Sequence, residues 1–97
     1  MNQRETKLEL TVLMTVYNGR EYLRTAMDSI LQQTYRNFCF LIVDDASTDD
    51  TREIIKSYKD DRIQLIRLEK NIGQTAALNY GLRHAITPWI ARMDADD

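Results

Sequence analysis

Hydrophobic and polar positions follow two alternating periods along this chain. "LELTVLMTV" (8–16) begins with every-second-residue alternation and ends almost wholly apolar, as a strand entering a core would. The period then lengthens: Tyr22, Leu23, Ala26, Met27, Ile30 and Leu31 form one stripe at helical spacing within 17–34. Asn18, with Glu21 three positions on, matches a helix cap and its capping-box partner. "FCFLIV" (38–43) is continuously apolar, the pattern of a strand covered on both faces. A second helix is expected over 47–58, with Ser47 as its cap and acidic residues in its first turn, where the helix dipole favours them.

"RIQLIRL" (62–68) alternates more openly, as a half-covered strand does. In "GQTAALNYGLRHAI" (73–86), Ala77, Gly81 and Ala85 would let a helix approach a sheet closely, and Gly81 marks the tightest point. Pro88 ends that helix and opens a last strand, "WIARM" (89–93). Strands alternating with helices over short connections imply parallel strands and right-handed crossovers. With the openly alternating third strand at an edge, the fold class is α/β: a Rossmann-like parallel sheet of order 3-2-1-4, helices on both faces. Its winding reverses between strands 1 and 4, where such sheets take their ligands. That point brings "YN" (17–18) beside "DADD" (94–97), with "DDAS" (44–47) one strand away.

Ninety-seven residues allow one domain. No apolar run approaches the ~20 residues of a membrane span, and "MNQRETKLEL" lacks the apolar core of a signal peptide. The single cysteine, Cys39, excludes an intrachain disulfide and reads as a buried, inert thiol. A cytoplasmic location is expected. The net charge of −2 argues against a general nucleic-acid partner.

Charge distribution says more than charge total. Seven of the 15 acidic residues fall in 44–50 and 94–97, a negative focus that suggests a cation. The chain has 3 glycines and no glycine-rich phosphate loop. A diphosphate at the switch point would therefore meet carboxylates, and a divalent ion such as Mg2+ or Mn2+ reconciles the two. Asp94 and Asp96 share one face of an extended segment and could reach one ion together. His84, the only histidine, reads as a helix-end residue, and Trp89 and the tyrosines as packing.

These residues resemble a known family. "TVLMTVYNGREYLRTAMDSILQQTYRNFCFLIVDDASTDDT", "NIGQTAALNYGLRHA" and "WIARMDADD" look, in order and spacing, like the N-terminal half of a family 2 inverting glycosyltransferase with the GT-A fold. The resemblance covers 8–97, with one departure, Thr15-Val16 where many members carry Pro-Thr before "YN". It implies a nucleotide-sugar donor, most often a UDP-sugar, a glycan or lipid-linked acceptor, and a divalent metal held by a D-x-D motif.

Carried over, Thr15, Tyr17 and Asn18 would line the nucleotide pocket, with Tyr17 against the uracil ring. Asp45 would accept the uracil N3–H, Asp94 would serve ribose and metal, and Asp96 would be the principal metal ligand, with Asp97 supporting. The resemblance places the catalytic base and the acceptor site downstream of the D-x-D segment. This chain is then expected to be a donor-binding piece that is inactive alone and self-associates through the exposed edge of its last strand. The full-length protein would be cytoplasmic or peripheral at the inner face of the membrane. Two rivals stand beside this reading: a non-catalytic nucleotide-binding module, and an aspartate-dependent phosphotransfer domain. The latter needs an acidic phosphoacceptor after its third strand, where this chain has Leu68-Glu69-Lys70.

Overall fold

A computed structural model describes residues 8–94. Seven elements alternate: β1 (Leu10–Val16), α1 (Leu23–Leu31), β2 (Phe38–Asp44), α2 (Thr51–Lys56), β3 (Ile63–Arg67), α3 (Gln74–His84) and β4 (Trp89–Asp94). The strands form one sheet in the order β3-β2-β1-β4, every neighbouring pair parallel. The expected topology is the observed one.

Side-chain alternation divides the core between the two faces of the sheet. Val12, Met14 and Val16 of β1 with Phe38, Phe40 and Ile42 of β2 pack beneath α1 and α2, against Leu23, Ala26, Met27, Ile30, Ile54 and Ile55. The intervening residues Leu13, Leu41 and Val43 pack beneath α3, against Ala77 and Leu68. Helices therefore cover both faces, and the central strands carry both cores.

Gly81 is the contact point of α3 with the sheet. A Cβ there would lie 2.6 Å from Leu13 Cδ1 and 3.1 Å from Val43 Cγ2. Gly81→Val is expected to destabilise the protein by ~1–3 kcal/mol through overpacking, against a smaller gain in helix propensity. Urea denaturation reads this as a lower midpoint at unchanged slope. A raised midpoint would show that α3 can move away from the sheet at no cost.

Both expected helix caps are absent. α1 starts at Leu23, with Tyr22 in the cap position and no side-chain cap bond. The Gly19 carbonyl instead accepts the N–H groups of Tyr22 and Leu23, so a separate turn precedes the helix. α2 starts at Thr51, with Asp50 in the cap position, and Ser47 lies outside it.

Two packing expectations also need correction. Cys39 is half-buried rather than enclosed. It lies at the start of β2 on the α3 face, its thiol directed at Gln64 Oε1, 3.6 Å away, and burial pushes its pKa up. Trp89 is 68% exposed, because β4 has only β1 as a neighbour among the described residues. Asp96 and Asp97 lie outside the described residues.

Candidate functional site

In a parallel sheet all carboxyl ends share one rim, and register decides which residues meet there. Thr15 stands opposite Val43 on one side and Asp94 on the other. By alternation, Thr15 and Asp94 leave the sheet on the α3 face. The Asp45 N–H donates to the Val16 carbonyl at 2.9 Å, which extends the β1–β2 pairing one step and sets Asp45 beside Tyr17. Tyr17 is 48% exposed and available to a ligand, as is half-buried Asp94. Register and pairing thus bring Thr15, Tyr17, Asp45 and Asp94 to the same carboxyl rim of the sheet.

Asp45 is more embedded than its position in the sequence suggested. It is 3% exposed. Its Oδ1 accepts the Ile72 N–H at 2.8 Å and its Oδ2 accepts the Gly73 N–H at 3.0 Å. Asn71 Nδ2 donates to the Asp45 carbonyl at 3.2 Å, so the loop into α3 is stapled to the end of β2. Gly73, with φ 93°, occupies the cap position of α3, a conformation that suits glycine. Each Asp45 oxygen keeps a second lone pair for a ligand donor. Asn71 was not singled out from the sequence, although "NIG" holds the signal: a turn-forming glycine directly before a helix.

Asp44 is fully buried. Its Oδ1 accepts the Ser47 N–H at 3.0 Å, and its Oδ2 has no hydrogen-bond partner among the described residues. It shapes the turn rather than facing the rim. Asn18 stands at the rim, but its carboxamide is directed toward the β2–α2 loop. His84 ends α3, its ring stacked on Tyr80 and its Nδ1 2.9 Å from the Tyr80 carbonyl, away from the rim residues.

Among the described residues no cluster of three or more His, Cys, Asp or Glu side chains could hold a metal ion. The donor chemistry at the end of β4 nevertheless suits a hard divalent cation. Among the described residues Asp94 has one ion pair, at 3.8 Å with Arg92, which leaves its carboxylate able to ligate. A cleft of about 260 Å³ opens on the other face of β4, between Thr25, Ser29 and Ile30 of α1 and the strand's end, away from the face that Asp94 shares with Thr15. No helix of the described residues is long and apolar enough to cross a membrane.

The family model for glycosyl transferase family 2 matches residues 11–97. The glycosyltransferase GlyA of Streptococcus pneumoniae is 42% identical over 91 residues, covering 92% of this chain and 13% of GlyA. The S. aureus TarS fragment 1-349 solved in complex with UDP-GlcNAc superposes with a TM-score of 0.85 at 27% identity, covering 91% of this chain and 26% of that one. The mannosyltransferase PcManGT of Pyrobaculum calidifontis, solved with GDP-Man and Mn2+, gives a TM-score of 0.80 at 30% identity, covering 95% and 28%. The chain spans about a third of the length of the first two curated relatives it matches, 33% and 36%.

Proposed function

The chain belongs to glycosyl transferase family 2, and on that premise we propose that it supplies the donor side of a metal-dependent, inverting transfer from a UDP-sugar to a glycan or lipid-linked hydroxyl. The observation that carries this reading is the meeting of Thr15, Tyr17, Asp45 and Asp94 on one rim. The likeness to a UDP-GlcNAc-bound structure supports a uridine donor, and the likeness to one holding Mn2+ supports the metal.

In this reading the exposed Tyr17 ring lies against the uracil face, and Asp45 uses a spare lone pair to accept the uracil N3–H. Thr15 closes the pocket floor, and Asp94 accepts from the ribose hydroxyls. Asp94 and Asp96 would hold the Mg2+ or Mn2+, which when bound supplies the positive charge a departing diphosphate needs. The same two carboxylates would repel a diphosphate in the ion's absence.

Inverting transfer also needs a base that takes the acceptor proton. Asp45 is committed to two backbone N–H groups, and His84 lies at the far end of α3. We therefore assign the base and the acceptor wall to a part of the protein outside these residues. The glycan made would belong to polysaccharide assembly.

Calorimetric titration of the protein that carries this chain tests the reading. UDP is expected to bind at least about tenfold more tightly with Mn2+ than with EDTA, and UDP is expected to be released from a UDP-sugar when an acceptor is supplied. Equal UDP affinity in Mn2+ and EDTA would overturn the metal's part. Metal-dependent UDP binding without turnover on any acceptor would favour a non-catalytic module.

A further inference from the structure

Among the described residues two other than glycine adopt positive φ, Asn18 at 50° and Ala46 at 62°. Each directly follows a residue of the base pocket, Tyr17 in one case and Asp45 in the other. Alanine in this region costs ~1–2 kcal/mol of local strain, while asparagine tolerates it better. Both turns are thus conformations that the surrounding structure must hold in place.

What holds them is a set of bonds between the turn after β1 and the loop after β2, about thirty residues apart. The Asn18 N–H donates to Ser47 Oγ at 2.9 Å. Asn18 Oδ1 accepts the Thr48 N–H at 2.8 Å and the Asp49 N–H at 3.3 Å. The Gly19 N–H donates to the buried Thr51 Oγ1 at 2.9 Å, and the Arg20 N–H to Asp49 Oδ2 at 3.4 Å. Glycine is required after Asn18, since a Cβ there would stand 2.6 Å from Val16 Cγ2.

Asp49 in turn accepts the Thr51 N–H at 2.9 Å. Burial pushes its carboxyl up, but the hydrogen bonds from Thr51 and Arg20 outweigh this and leave it below the usual carboxylate range. It is therefore an ionised acceptor at neutral pH. The Asn18 carboxamide oxygen gathers two N–H groups at the centre of the network.

We propose that Asn18 is a positioning residue whose side chain latches the β1–α1 turn to the β2–α2 loop and so sets the spacing of Tyr17 and Asp45 across the base pocket. The proposal rests on the UDP reading above. Asn18 acts through its neighbours: with the latch open, each turn relaxes separately, and the ring and carboxylate lose the fixed separation that one base can bridge. Pre-organisation of this kind appears in donor affinity and in donor KM, with kcat at saturating donor nearly unchanged.

Two variants of the full-length protein separate geometry from bonding. Asn18→Gly accepts the positive φ and removes the carboxamide. Asn18→Asp keeps an oxygen in the same place to accept the Thr48 and Asp49 N–H groups. The amide N–H it loses makes only a 3.3 Å bond to Thr48 Oγ1, and that hydroxyl can rotate to donate instead.

Asn18→Gly is expected to weaken UDP binding and raise donor KM by roughly tenfold or more, with kcat within about twofold of wild type. Asn18→Asp is expected to recover most of the loss. If Asn18→Gly does not fold, Ser47→Ala, which removes the acceptor of the Asn18 main-chain N–H and so loosens the same junction between the two loops, is expected to give a smaller shift of the same kind. A melting temperature lowered by Asn18→Gly with unchanged donor KM would overturn the proposal, as would an Asn18→Asp variant no better than Asn18→Gly. Asp45→Ala serves as reference: if it too leaves UDP affinity unchanged, the base-pocket reading itself fails, whereas loss in Asp45→Ala alone removes only the latch.

Discussion

Asp45→Asn is expected to weaken UDP binding by roughly 10- to 100-fold, although the two side chains have the same shape. The reason lies in what the carboxylate already does. Its two oxygens accept the N–H groups of Ile72 and Gly73 at 2.8 and 3.0 Å. An asparagine amide must point its NH2 at one of them, placing donor against donor in a residue that is 3% exposed. Either the loop over 71–73 shifts or the side chain rotates, and both change where a uracil N3–H can dock. Loss of the charge removes a charge-assisted bond as well, worth ~1.5–3 kcal/mol, which is the origin of the expected range. Calorimetry with UDP in Mn2+ measures it. An affinity within about twofold of wild type would show that the base is read elsewhere, and that Asp45 serves only to staple the loop.

The strand order was legible because burial is written into residue pattern. β2 is continuously apolar over 38–43 and is buried at every position but Cys39, while β3 alternates and stays half-covered at the edge. Gly81 was legible because a glycine within a helix weakens it, so a compensating close contact was to be expected. The helix starts were not legible, and one cause explains both. Asn18 and Ser47 carry the short polar side chains that cap helices, but here each bonds to the other's loop, about thirty residues away. Local spacing cannot distinguish a bond to the next turn from a bond across the sheet. Trp89 misled for a different reason: its apolar bulk suggests a core, and its exposure follows from a position on the outermost strand. At the site, register placed Thr15 beside Asp94 as expected. The embedding of Asp45 depended on Asn71 and Gly73, a loop whose approach to β2 no periodicity encodes.

Asp96→Asn is expected to abolish the Mn2+-dependent part of UDP affinity and to leave the affinity measured in EDTA no weaker, or somewhat stronger, since one charge that repels the diphosphate is gone. Register fixes Asp94 opposite Thr15, and the period of two then carries Arg92, Asp94 and Asp96 along one face if the extended backbone continues. Within that row Arg92 is a 3.8 Å partner of Asp94, too distant and too exposed to satisfy it, so on the proposed reading Asp96 would be the carboxylate that decides whether a cation is bound. Asparagine keeps an oxygen there but not the charge on which a hard divalent ion depends. Loss of even a supporting group at a metal site typically costs 10- to 100-fold, so loss of a direct ligand is expected to cost roughly 100-fold or more. The control is Asp61→Asn, an equal change of charge at an exposed turn before β3, at the opposite rim of the sheet. UDP titrations of both variants in Mn2+ and in EDTA give four affinities. A Mn2+-dependent gain that survives Asp96→Asn, or equal losses from the two substitutions, would show that the acidic end of β4 acts through bulk charge and not as a metal site.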